Sequence, residues 1–411
     1  MKAKRLTLMT ASTFALFGCS DGGVSPVAFD HEPAANLSAN ARSYMSNYVA
    51  IGNSVSMGWA DDGVVGASQD NSWPRQLASE AEVDFTVPDI AAPGCQPPLA
   101  APLIAFIRVD GTQFGAPTTC ADNVPGVTLP THNLAVENAT AAEGLNATPA
   151  TASQGRGPVT SRVLPSGMTQ VTAMLSLHPT FVSVDFGGNE VLPAQGGLLL
   201  SGYTFTPLDV FEANYSQIID NVKATGAKAV LVSVRLDLRK FPTIRTGPEI
   251  ASQRPGFAAY NVTVNVDCDH SPNFIFVRGK VLTAIITGIT QARFGAGPYD
   301  LSCADIPNTV DYVLTPDDIT FLNDLVGRMS DFVEGLAAEN GYASFALGAL
   351  YDGSKRGVPF VLDTYLRSAT PYGELISLDG VHPTAEGQSV LARTARQAIQ
   401  RTYGRGNGPR D

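Results

Sequence analysis

Short apolar runs alternate with longer amphipathic stretches along most of this chain. Tyr48-Val49-Ala50-Ile51 is an unbroken apolar run closed by Gly52, the pattern of a strand buried on both faces. Trp73 to Ala81 reads as a helix, with Pro74 suited to its first turn. Phe85 to Ile90 reads as a second strand. Thr169 to Leu177 predicts a helix and Thr180 to Phe186 a strand. Pro207 to Ala224 carries Phe211, Tyr215, Ile218, Ile219 and Val222 at helical spacing, and Ala227 to Val234 follows as another strand. Pro316 to Asn340 predicts a long helix between the caps Thr315 and Gly341. Tyr342 to Leu350 reads as a strand and Pro383 to Thr402 as the last helix. This alternation is the signature of a parallel sheet with helices on both faces. Ligands of such sheets bind beyond the carboxyl ends of the strands.

Two stretches break the rhythm. Residues 95–168 hold many Pro, Ala, Thr and Gly, and read as an ordered insertion or lid. Residues 236–310 are mixed in pattern. The first eighteen residues have the form of an export signal: Lys2, Lys4 and Arg5, then an apolar stretch too short to span a bilayer. It ends in Leu16-Phe17-Gly18-Cys19, which resembles the bacterial lipobox, with Cys19 as the lipidated residue. Ser20 then fits sorting to the outer membrane. Residues 19–46 read as a flexible tether, 47–404 as the folded domain and 405–411 as a tail. The expectation is an exported chain, lipid-anchored to a bacterial membrane.

Composition narrows the partners. A net charge of −11 without a basic stripe argues against nucleic acid. Beyond Cys19, four cysteines remain: Cys95, Cys120, Cys268 and Cys303. Four in an oxidising compartment allow three disulfide pairings. Of these, Cys95 with Cys120 and Cys268 with Cys303 close the shortest loops and cost the least entropy. There is no C-x-x-C and no Cys/His cluster at metal-ligand spacing.

Four strand ends carry candidate chemistry. The first is Gly52-Asn53-Ser54, where a Ser at a strand-to-helix turn is held ready for attack. The second is Ala92-Pro93-Gly94-Cys95, where Gly94 can offer an unobstructed N–H. The third is Gly187-Gly188-Asn189-Glu190, with the Asn189 amide able to aim at a developing oxyanion. The fourth is Asp379-Gly380-Val381-His382-Pro383, where a carboxylate three residues before His can fix the imidazole tautomer. Each alone is equally a turn or a helix cap. A second Asp-x-x-His, Asp267 to His270, sits beside a half-cystine with no helix start after it, and reads as loop structure. No G-x-S-x-G elbow and no P-loop is present.

In the order Ser, Gly, Asn, Asp-x-x-His, these segments resemble the blocks of the SGNH, or GDSL-like, hydrolase family. The resemblance spans residues 48–400. It implies a three-layer, flavodoxin-like α/β fold. It also implies Ser54 as nucleophile, Asp379 and His382 as the rest of a triad, and Ser54, Gly94 and Asn189 as oxyanion donors. Asn53 stands where the family has Asp, and Glu190 where it has Asp. The implied activity is hydrolysis of a carboxylic ester, lipid or acylated glycan, through an acyl-enzyme that needs no cofactor and no metal. An acyltransferase and a non-catalytic binding lipoprotein are the alternatives on the same fold. Val191, Leu192, Leu198, Leu199, Leu200, Tyr203 and Phe205 are candidates to line an acyl pocket.

Overall fold

The computed structural model describes residues 37–153, 155–348, 350–351 and 359–404. The export segment, Cys19 and the tail 405–411 lie outside the described residues.

Among the described residues there are nine strands: β1 (Tyr48–Gly52), β2 (Phe181–Asp185), β3 (Lys228–Ser233), β4 (Ile244–Thr246), β5 (Val262–Val264), β6 (Phe274–Phe276), β7 (Tyr299–Leu301), β8 (Val313–Leu314) and β9 (Ala343–Ala346). The main sheet has the order β1-β2-β3-β9, and every pairing in it is parallel. All five residues of β1 and of β2 are buried, as their apolar runs require. Within β2 the polar side chain of Ser183 accepts from the Tyr48 hydroxyl at 2.9 Å.

Helices cover this sheet in two groups. Trp73–Glu80 packs on Ala385–Tyr403, which lies against β9 and β3. Ala141–Asn146, Gln170–Ser176, Leu208–Ala224 and Pro316–Glu339 form the other group, reaching β1 and β3. The chain is therefore a three-layer α/β fold. Among the described residues no helix is long and apolar enough to cross a membrane.

The expected strand Phe85 to Ile90 is not one of the sheet's strands. The neighbour of β1 comes instead from within the stretch read as an insertion. Ala50 N donates to His132 O, Leu134 N to Ala50 O and Val136 N to Gly52 O, a short parallel ladder. Thr86 O then accepts from Asn133 N on the outer side. Asn133 and Leu134 are buried, and a buried backbone takes the pairing offered to it. Counting residues 132–136 as the second rung, the order is second, first, third, fourth, fifth, the flavodoxin-like arrangement.

The mixed region folds as well. β4, β6 and β8 form a small antiparallel sheet, and β5 pairs with β7 in parallel. The tether reading fails at its end: Ala39–Tyr44 is a helix with Ser38 as N-cap. Leu37, Ala41 and Met45 recur every fourth residue and are buried, so one face of this turn is core. Ser38 N donates to Gln400 Oε1 at 2.9 Å, fastening it to the last helix.

Candidate active site

The apolar run of β1 ends at Gly52, and Asn53 caps the short helix Ser54–Met57 by accepting from Val55 N at 2.9 Å. This cap fixes Ser54 in the first turn, beyond the carboxyl end of the sheet. From the opposite end of the sequence, the turn before the last helix brings two partners. Ser54 Oγ lies 2.8 Å from His382 Nε2, and His382 Nδ1 lies 3.0 Å from Asp379 Oδ2. Ser54 and Asp379 are buried, and His382 keeps 8% of its surface.

The Asp-x-x-His turn is built from its own backbone. Asp379 Oδ1 accepts from both Val381 N and His382 N at 2.8 Å. Gly380 between them has φ +74°, and a Cβ there would fall 2.0 Å from Thr243 Cγ2, so only glycine fits. Asp379 Oδ2 also accepts from Asp62 N at 2.7 Å. Burial by itself would raise the Asp379 carboxyl. The charge and hydrogen bonds of His382, with Arg278 behind, overcome this and hold it well below the usual carboxylate range. Asp62 is itself gripped by Arg278 at 2.8 Å and Arg108 at 2.6 Å. The last helix, expected from Pro383, begins two residues later at Ala385: Thr384 is the cap, accepting from Gly387 N, and His382 lies two residues before it.

The nearest other hydroxyl is differently employed. Ser56 is fully buried, donates to Asp185 Oδ2 at 2.7 Å and accepts from Trp73 Nε1 at 3.0 Å. Asn53 Nδ2 lies 3.4 Å from Asp185 Oδ1. An Asp at position 53 would put two carboxylates together, so Asp185 gives the physical reason for Asn53. Burial pushes the Asp185 carboxyl up to about 6, against the Ser56, Asn53 and Trp73 donors.

Asn189 stands at the end of β2, and its Nδ2 donates to Ala139 O at 3.0 Å. Both Ser54 and Asn189 line one apolar cavity with His382. Gly94 does not line it. Its Cβ position faces Val64 O, Gln96 O and Pro98, where its φ of +117° is needed. The strand end beside Ser54 belongs to residues 132–136, and the loop leaving it is Glu137-Asn138-Ala139. Asn138 has φ +55°, a conformation Asn tolerates better than most residues. The available signal was the run Leu134-Ala135-Val136 closed by Glu137-Asn138, a strand end that the surrounding Pro and Thr obscured.

The acyl-pocket candidates are largely displaced too. Val191 and Leu192 line the cavity, but Leu200 and Tyr203 are exposed. Much of the wall comes instead from Leu236, Leu238, Phe241, Phe276, Leu314 and Leu322, in or next to the mixed region. Both disulfides, Cys95–Cys120 and Cys268–Cys303, are present. His270 is exposed, and its neighbours serve the loop: Asp267 accepts from Cys303 N, and Asp269 pairs with Arg254.

No family model and no curated protein matches this chain. Solved structures align remotely. The structure of TesA aligns at 12% identity with a TM-score of 0.35, covering 86% of this chain and 98% of its own. An Axe2 mutant, an acetyl-xylooligosaccharide esterase from Geobacillus stearothermophilus, aligns at 11% identity and TM-score 0.36, over 89% and 96% of the two chains. A GDSL-like lipase from Bacteroides thetaiotaomicron aligns at 12% identity and TM-score 0.33, over 87% and 90%. The sheet order and the distances above are this chain's own, and the α/β fold implied by the sequence resemblance is the fold it has.

Proposed function

We propose that this protein is a serine ester hydrolase of the SGNH type that accepts an acyl chain in the apolar cavity. The observation that carries the reading is the line Ser54 Oγ, His382, Asp379, at 2.8 and 3.0 Å, opening on that cavity. Asp379 accepts a hydrogen bond from Nδ1–H, which leaves Nε2 as the base for Ser54. Ser54 Oγ attacks the ester carbonyl as its proton passes to His382. The imidazolium so formed faces an ionised, buried Asp379, which stabilises it. His382 then protonates the departing alcohol. Water attacks the acyl-enzyme with His382 as base, releasing the acid and restoring Ser54.

For the oxyanion we assign the Ser54 N–H and the Asn189 amide, with the Asn138 N–H as third donor, since Asn138 leaves the strand end beside Ser54 and borders the neighbouring cleft together with Asn189. Asn189 is steadied for this by Ala139 O, one residue after Asn138. The apolar wall favours hydrocarbon, since a polar group there would lose its hydrogen bonds. Export and lipidation at Cys19 belong to the same proposal, and mass spectrometry of the N-terminal peptide tests them: an unmodified Cys19 on exported protein refutes anchoring.

The deciding experiment is labelling with a fluorophosphonate, followed by peptide mapping. Labelling at Ser54, lost in Ser54→Ala together with ester turnover by on the order of a thousandfold, is the expected result. A folded wild-type protein that neither labels nor cleaves esters is a binding protein instead. Product analysis with an added alcohol separates hydrolysis from transfer.

A further inference from the structure

A second cavity also borders Asn189. It shares Asn189, Leu192 and Gln195 with the apolar cavity, so the two meet at the proposed oxyanion site. Its character is opposite. The wall holds Glu190, Thr140, Ser153, Thr204, Thr206 and Arg156, each with hydroxyl, carboxyl or N–H groups.

Glu190 singles this cleft out as a built site. The residue is 1% exposed, Oε1 accepts from Ala141 N at 2.7 Å, and the Gly187 and Glu190 N–H groups also lie near its carboxyl, while Oε2 makes no well-formed hydrogen bond among the described residues. A buried carboxyl with one oxygen so weakly engaged costs free energy, and its place in the wall of a polar cavity fits a ligand hydroxyl that completes the set. Charge does not select that ligand. Arg156 is spent on Glu143, on Ser153 and on the Glu137 carbonyl. Burial pushes the Glu190 carboxyl up to about 7, where it can donate as well as accept. A neutral, hydroxyl-bearing group matches both properties. At the rim, Tyr203 is 75% exposed and presents an aromatic face against which a ring or carbon chain can lie.

We propose that this cleft holds the alcohol half of the ester, and that the alcohol is polyhydroxylated, a glycerol or a sugar. The proposal rests on Ser54 being an ester nucleophile. The two halves of such a substrate sort themselves. Hydroxyls in the apolar cavity would lose water without replacement, and a hydrocarbon in the cleft would leave the Glu190 set incomplete. Only one orientation satisfies both walls, and it places the carbonyl between them, at Asn189.

Three octanoate esters test this on the intact protein: ethyl octanoate, monooctanoyl glycerol and octanoyl glucose, with released acid titrated. The acyl group is constant, so differences report the alcohol. We expect kcat/KM for a hydroxylated ester to exceed that for the ethyl ester by about tenfold or more, the worth of one or two good hydrogen bonds. Tyr203→Ala, at an exposed position that the fold does not need, should shrink this ratio severalfold, mainly through KM. A preference for the glucose ester assigns the cleft to a sugar, and for the glycerol ester to a glyceride. Equal kcat/KM on all three, or a Tyr203→Ala effect shared by all three, overturns the proposal while leaving the hydrolase reading intact. Loss of that reading looks different: no ester is cleaved, or Ser54→Ala cleaves them still.

Discussion

Ser54 and Ser56 share one short helix and are both buried, yet one meets an imidazole and the other a carboxylate. Around Ser54, the hydrogen-bonding groups line up toward a cavity. Around Ser56, they close on themselves: its proton goes to Asp185 and its oxygen accepts from Trp73. The two carboxylates differ in the same sense. Asp379 receives two backbone N–H groups on one oxygen, and Asp62 N and the imidazole on the other. Asp185 has only side-chain donors and is pushed toward its neutral form. What separates a nucleophile from structural cement here is an open side on the oxygen and a base whose charge is already provided for.

The largest expected break in this symmetry is catalytic. Ser54→Ala should lose about a thousandfold or more in kcat, whereas Ser56→Ala should keep turnover within a few-fold while the fold loses on the order of 1–3 kcal/mol, because Asp185 loses its best donor. Kinetics and denaturant melts of both variants decide it, and a thousandfold loss in Ser56→Ala would erase the distinction.

Next comes pH. The Asp185 carboxyl is raised from 3.8 to about 6 on folding, so between those values the folded chain binds more protons than the unfolded chain. Its contribution therefore makes stability fall as pH rises from about 4 to 6, by on the order of 3 kcal/mol in total. Asp185→Asn should remove that fall. Asp379 has the opposite sign: its folded value is lowered, so its contribution is present above the unfolded value and is lost as pH drops below it. Melts of wild type and Asp185→Asn from pH 4 to 7 check the difference, and parallel curves would contradict it.

The disulfides should matter for stability more than for rate. Without Gly94 in the cavity wall, no oxyanion donor adjoins the Cys95–Cys120 bond. Cys95→Ser with Cys120→Ser should cost about 3 kcal/mol and change kcat little. A large kcat loss at unchanged KM would return the Gly94 segment to the site. The smallest effect falls on His270→Ala, set against His382→Ala: the exposed His270 should leave turnover unchanged.

Which parts of this arrangement a reader of the sequence could find follows from how local each signal is. Ser54, Asn189 and the Asp379–His382 turn sit at the ends of apolar runs or directly before a helix, so local pattern exposes them. Residues 132–136 do so only faintly: the short ladder to β1 is held by contacts with Ala50 and Gly52, more than eighty residues away, and the run Leu134-Ala135-Val136 is short and set among Pro and Thr. Phe85 to Ile90 fails for the converse reason, an apolar pattern whose edge position was already taken. The cavity wall shows the same limit, because Phe241, Phe276 and Leu322 meet only through the small sheet and the long helix.

The hydrogen bond between Ser54 and His382 joins residues 328 positions apart. During synthesis the nucleophile emerges early and its base almost last. A nascent or truncated chain holds a serine with nothing to take its proton, and becomes competent only when the final helix docks on β9. On the proposed mechanism, a chain that cleaves ester has been made past residue 382 and folded from both ends inward, and one cut short before it lacks the base.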